Sequence, residues 1–209
     1  MRPIMNQDRP NFLLIFSDQH RGDCLSREGR PGLMTPNLDF LAAEGAYFRR
    51  AYSPCPACVP ARRSFLLGQA PATAGVVGMA IRRGQALHTE HALTQELVHA
   101  GYETAVIGKD MHQDNPPEDY GFTYACTFNR GEDNYAQWLA SQISSWEGGG
   151  TGHGIDANAW NARPWHLAEW QHSTHWVTER CIRYLEQRNA DRPFFLVAGY
   201  AAPHPPLTP

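Results

Sequence analysis

Apolar positions collect into three short runs along the chain, and each run ends abruptly in polar residues. Phe12-Leu13-Leu14-Ile15-Phe16 leads into Ser17-Asp18-Gln19-His20. Residues 102–107 lead into Gly108-Lys109-Asp110. Residues 194–199 lead into Tyr200 and a proline-rich segment around His204. A strand with one wet face alternates apolar and polar residues. A run apolar at nearly every position predicts a strand covered on both faces, the usual condition of a parallel sheet. Between the runs the period becomes helical. Thr35-Pro36 supplies an N-cap and a first-turn proline, Leu38, Leu41 and Ala42 an inward face, and Gly45 a stop. Residues 60–67 predict a second helix ended by Gly68. Residues 90–100 predict a third, with Leu93, Leu97 and Val98 inward and Gly101 as terminator. Residues 175–187 predict a fourth, with Trp176, Val177, Ile182, Tyr184 and Leu185 as its apolar positions. The alternation predicts an α/β fold, a mostly parallel central sheet flanked by helices.

Residues 129–171 break this pattern. They hold Gly148-Gly149-Gly150 and the tryptophans Trp138, Trp146, Trp160, Trp165 and Trp170 without a clear period. An irregular excursion with short helical pieces is expected there, of the kind that often carries function. The sequence ends just past the third run, with nothing after it to cover the sheet, so an incomplete domain is expected.

Composition narrows the classes. With 42% hydrophobic and 19% charged residues in 209, the chain is globular and suits one domain. A net charge of −3 argues against a nucleic-acid partner. The first apolar run is far shorter than the ~20 residues of a membrane span or the ~7–15 of an export signal. A cytoplasmic protein without a membrane partner is expected. Its oligomeric state is not legible. The five cysteines, Cys24, Cys55, Cys58, Cys126 and Cys181, are odd in number and scattered, which predicts reduced thiols. Cys55-Pro56-Ala57-Cys58 is compatible with a redox pair or half a zinc site, but no second CxxC and no histidine at finger spacing accompany it.

The candidate chemistry lies just beyond the apolar runs, where open α/β sheets bind ligands. Asp18 and Gln19 follow the first run, Lys109 and His112 the second, and His204 the third. Each alone reads as a cap, a solvated lysine or a packed imidazole; their shared position predicts one crevice. Cys58-Val59-Pro60-Ala61-Arg62 adds a nucleophile at a helix head, where backbone dipoles favour an anion, with a guanidinium one turn on. His166, His172 and His175 read as packed or solvated imidazoles. Most of the tryptophans read as packing, although an aromatic wall for a sugar, an aryl group or a quaternary ammonium is the alternative. Gly150-Thr151-Gly152-His153-Gly154 lacks the lysine of a phosphate loop.

Cys58-x-Pro60-x-Arg62 running into Leu66-Leu67-Gly68 resembles the signature of type I sulfatases, in the alkaline phosphatase superfamily. The resemblance extends over essentially the whole chain. Arg9-Pro10-Asn11-Phe12-Leu13-Leu14-Ile15 with Asp18-Gln19 resembles the family's opening strand and metal motif. Thr35-Pro36-Asn37-Leu38-Asp39 resembles the helix that follows. Gly101-Tyr102 through Gly108-Lys109 resembles the strand with the sulfate-binding lysine, and Pro193-Phe194-Phe195-Leu196 leading to Ala202-Pro203-His204 the strand with a second active-site histidine.

The resemblance implies an alkaline-phosphatase-like fold present in part, residues 1–209 being the N-terminal portion of one catalytic domain whose C-terminal part is absent. It implies sulfate ester hydrolysis by a formylglycine made from Cys58 by a maturation enzyme. A divalent cation, Ca²⁺ or alternatively Mg²⁺ or Mn²⁺, is implied at Asp18, Gln19 and the modified Cys58. Arg62 would hold the nucleophile, Lys109 the sulfate, His112 would deprotonate the diol and His204 would protonate the leaving alcohol, from a small-molecule or carbohydrate sulfate ester. Gln19 stands where a second Asp is commoner, Ala61 replaces the usual Ser, Leu67 the usual Thr, and His112 falls three residues after Lys109 rather than two. The remaining metal ligands of the family come from a later strand, so this piece by itself is expected to be inactive. A phosphonate monoester or phosphodiester hydrolase of the same superfamily, and an inactive fragment or binding module, are the alternatives.

Overall fold

Four parallel strands form one sheet in the computed structural model, which describes residues 9–79, 91–112, 116–143 and 158–208. In chain order the elements are β1 (Phe12–Ser17), α1 (Pro36–Glu44), α2 (Cys58–Leu67), α3 (Leu93–His99), β2 (Glu103–Gly108), β3 (Tyr124–Thr127), α4 (Tyr135–Gln142), α5 (Ser173–Gln187) and β4 (Phe194–Tyr200). The spatial order is β1-β4-β2-β3, so the last strand inserts between the first and second. Phe12 pairs with Phe195, and Thr104 pairs with Phe195 from the other side. The predicted α/β fold with a parallel sheet is therefore observed. Glu90, the expected start of the third helix, and the glycine run at 148–154 lie outside the described residues.

Both faces of β2 and β4 are covered, which is why their sequences do not alternate. On one face Ala105, Ile107, Leu196 and Ala198 pack with Trp176, Val177 and Cys181 of α5 and Tyr135 and Leu139 of α4. On the other, Val106, Phe195 and Val197 pack with Leu66 of α2 and with Met111, Tyr120 and Phe122. Gly68 ends α2 at φ 63°, the left-handed geometry that a glycine adopts without strain.

Two expectations of burial are corrected. β1 is not covered on both faces: Leu14 and Phe16 meet the second core, but Phe12, Leu13 and Ile15 are 44%, 50% and 55% exposed. Within these residues β1 is paired on one side, by β4, and the α4 and α5 side chains pack over β2 and β4 instead. Helix α1 forms where predicted and stops at Gly45, but it has no buried residue; Leu38 and Leu41 are exposed among them. Within α5, Ile182 also faces solvent, while Cys181 is buried. The strand β3 was not legible in the sequence, because four residues show no usable period. The excursion does contain a helical piece, α4, capped by Asn134, whose side-chain oxygen accepts from the Gln137 N–H.

Candidate active site

The carboxyl ends of β1, β2 and β4 meet the head of α2. Because β4 lies between β1 and β2, it fixes the residue that follows each neighbour. The Asp18 N–H donates to the Tyr200 carbonyl at 3.1 Å, and the Lys109 N–H donates to the Gly199 carbonyl at 2.7 Å. Two glycines make this approach possible. A Cβ on Gly199 would strike the Lys109 carbonyl, and one on Gly108, at φ +91°, would strike Gly199 and Val177. From sequence these glycines mark only the end of one apolar run and the first residue after another; their positioning role emerges from strand order.

Asp18 is buried at the centre of the resulting cluster. Lys109 Nζ forms an ion pair with its Oδ2, and Arg62 Nη2 lies 3.7 Å from the same oxygen. The Cys58 thiol donates to Oδ1 at 3.4 Å. Ligand atoms of Asp18, Cys58 and His112 all lie within 4.8 Å of one another, a grouping capable of holding a metal ion. Cys58 is the first residue of α2, and its N-cap Ala57 has no side-chain acceptor, so the open helix head faces the thiol. Arg62 is 2% exposed. Its Nη1 donates to the Asp110 carbonyl at 2.8 Å, its guanidinium lies over the Phe16 ring, and its Nη2 is buried without a hydrogen bond.

The electrostatics follow from these neighbours. Burial raises the Asp18 pKa, but the Lys109 ion pair, the Arg62 charge and the Cys58 thiol together outweigh it and hold the carboxyl below its ordinary value. Burial and the Asp18 charge push the Cys58 thiol up. Burial, with the charges of Lys109 and Arg62, pushes His112 down. Near pH 7 Asp18 is therefore held as a carboxylate, the Cys58 thiol protonated and His112 neutral, beside the Lys109 and Arg62 side chains, a setting in which an ester anion meets donor partners.

Asp18, Cys58, Arg62, Lys109 and His112 are thus brought together as the sequence predicts. His112 reaches the cluster despite its longer spacing, through a backbone φ of 52° and an N–H bond to Asp110 Oδ1. Gln19 is exposed beside Asp18. His204 lies beyond β4 at the same end of the sheet, with its Nδ1 against the Pro205 carbonyl rather than against a member of the cluster. The triplet His166, His172 and His175 forms no metal grouping among the described residues. His172 instead caps α5 by accepting from the Thr174 N–H. The tryptophans divide: Trp138 packs against Tyr135, Trp170 and Trp176, while Trp160 is exposed.

A parallel sheet that delivers a carboxylate, a lysine and a helix-head cysteine to one edge defines an α/β protein of alkaline-phosphatase-like architecture. The comparisons agree. The family model described as Sulfatase matches residues 10–209, and the chain belongs to that family. It is 36% identical over 217 residues to an arylsulfatase of Clostridium perfringens, covering 96% of this chain and 44% of the relative. It is 29% identical to a choline-sulfatase of Rhizobium meliloti, covering 97% and 40%. Among solved structures, the phosphonate monoester hydrolase of Agrobacterium radiobacter superposes with a TM-score of 0.73 at 26% identity, over 96% of this chain and 42% of that one. The chain spans less than half the length of each. No helix among the described residues is long and apolar enough to cross a membrane.

Proposed function

We propose that the protein carrying this chain hydrolyses a sulfate ester, with Cys58 converted to formylglycine by a maturation enzyme. The observation that carries this reading is the pairing of a protonated Cys58 thiol with Asp18, flanked by Arg62 and Lys109. The thiol donates to Asp18, and among the described residues Cys55 does not approach it within hydrogen-bond distance, so this setting gives no support to a CxxC redox pair. The helix-head position beside Arg62 and Lys109 supports a modified side chain as the nucleophile. Formylglycine, once hydrated, supplies one oxygen to attack sulfur and a second whose deprotonation releases sulfate and restores the aldehyde.

The remaining work falls to the chain's own residues. Arg62, with its unbonded Nη2, steadies the attacking oxygen. Lys109 leaves Asp18 to bind the equatorial sulfate oxygens, where charge grows in the transition state. His112, neutral at pH 7, accepts the proton of the second hydroxyl, and His204 donates one to the departing alcohol. A divalent cation, Ca²⁺ or alternatively Mg²⁺ or Mn²⁺, fits the donor chemistry at Asp18, a hard, buried carboxylate, with Gln19 and the modified Cys58 as further oxygen donors. It would act as a Lewis acid at the nucleophile. Asp18 is the one carboxylate in the described group capable of holding a metal ion, so tight binding of a divalent cation calls for further oxygen ligands, and the 209 residues alone are expected to be inactive.

The phosphonate monoester hydrolase match favours a second reading, hydrolysis of a phosphonate monoester or phosphodiester by the same machinery. Two measurements test the proposal. Mass spectrometry of the Cys58 peptide after co-expression with a maturation enzyme should show the aldehyde; an unconverted thiol would favour an inactive or binding role. Rates on an aryl sulfate and on an aryl phosphonate monoester then separate the two ester classes. Sulfate should be the faster by more than about tenfold.

A further inference from the structure

A second cavity opens at the head of α5, with a volume of about 620 Å³, in the range of small-molecule sites. Trp165, Glu169, His172, His175, Thr178 and Thr208 line it. Two contacts tie it to the candidate active site. The Thr178 and Tyr200 hydroxyls are 3.0 Å apart, and the Tyr200 carbonyl holds the Asp18 N–H. A single tyrosine therefore separates the cavity wall from Asp18. His172 Nδ1 accepts from the Thr174 N–H, which leaves Nε2 as the donor to Thr208 Oγ1 at 3.1 Å. That bond anchors residue 208, four positions beyond His204, to the same wall.

The lining has a definite chemistry. The Trp165 indole is fixed by its Nε1–H bond to the Ala168 carbonyl and meets the His172 ring edge-on at 5.0 Å. Glu169 and His175 stand around it, His175 with a half-exposed side chain. An indole that also packs on the His166 and His172 rings, beside hydroxyls, imidazole and carboxylate, gives the cavity a mixed apolar and polar lining that matches an amphipathic polyol ring. A quaternary ammonium calls for a cage of several aromatic rings. No lysine or arginine lines the cavity among the described residues, and Glu169 repels an anion, so a second sulfate is disfavoured.

We propose that this cavity receives an uncharged sugar unit joined to the one that bears the scissile sulfate, its ring on Trp165 and its hydroxyls on Glu169 and His175. This rests on the ester-hydrolase reading above. The test uses the matured protein, monosulfated cellobiose, lactose and chitobiose, their disulfated counterparts, and a sugar-free aryl sulfate. Trp165→Ala and His175→Ala should each raise KM for the preferred monosulfated disaccharide, by up to about tenfold. The same variants should leave aryl sulfate kcat/KM within about twofold. Thr174→Arg, at an exposed position on the rim, should shift preference toward a disulfated disaccharide. An unmoved disaccharide KM in both alanine variants, with normal aryl sulfate turnover, would overturn the sugar site. Wild-type protein that turns over no aryl sulfate would defeat the parent reading instead. Should Trp165→Ala impair folding, the exposed His175→Ala decides the matter.

Discussion

Asp18 and Asp23 lie five residues apart, and each faces two cations. Asp23 meets Arg21 at 2.8 Å and Arg30 at 2.7 Å, while Asp18 has a close ion pair with Lys109 and a longer one, 3.7 Å, with Arg62. Yet the Asp23 triad lies in water, its three side chains between 43% and 69% exposed, whereas Arg62, Asp18 and Lys109 are between 2% and 13% exposed. Solvent screening reduces the first to a surface ion pair of small worth. Burial turns the second into a strong field in which a thiol is held protonated and an anion has a ready partner. The difference teaches that a carboxylate with two cations is not a site until the fold removes it from water and sets a nucleophile beside it.

The largest expected effect lies at Lys109. Lys109→Ala should lower kcat/KM on an aryl sulfate by about 10²–10³-fold, the scale of a lost transition-state donor, as steady-state kinetics would show. A loss below about tenfold would erase the contrast with Arg21. Next comes stability. Asp18→Asn strands two buried cations and should cost about 3–5 kcal/mol in urea denaturation at pH 7. The pH dependence has a definite sign. The Asp18 pKa is lower in the folded state than in the unfolded chain, so its contribution is full above the ordinary carboxylate range. It is lost as pH falls below about 4 and through the lowered folded value. Asp18→Asn should flatten that acid limb, and an unchanged acid profile would mean that Asp18 is not buried with its partners. The smallest effect belongs to the exposed triad. Arg21, followed by burial acting in the opposite sense and then Arg30, pulls Asp23 down to about 2. Even so, Asp23→Asn should move Tm by no more than about 2 °C. A larger shift would show that exposure is not what separates the two triads.

Much of this was readable in advance. Local chemistry writes itself into sequence where a segment must satisfy its own backbone. Gly68 closes α2, Pro36 opens α1, and the unbroken apolar runs at Val106 and Val197 mark strands covered on both faces. The aspartate and lysine of the cluster were legible because each follows a strand, the cysteine because it heads a helix, and the arginine because it lies one turn further along. Their grouping was expected and is observed, and the proposed roles rest on it. Leu41 and Ile15 have the pattern of core residues and are exposed within these residues, which span less than half of the relatives they match; burial depends on which element arrives opposite.

The amino-acid order by itself indicated most element types, the parallel sheet and the candidate site residues, since these follow from periodicity, capping and side-chain chemistry within a few positions; the short β3 lay below that signal. Tertiary structure alone decided that β4 enters between β1 and β2. That insertion holds Asp18 and Lys109 on the Tyr200 and Gly199 carbonyls of one strand, where Arg62, forty-four residues from Asp18 along the chain, meets them. Strand order is a property of long-range pairing, where loop-closure entropy and the burial of both sheet faces compete over the whole chain, and no local stretch encodes the outcome.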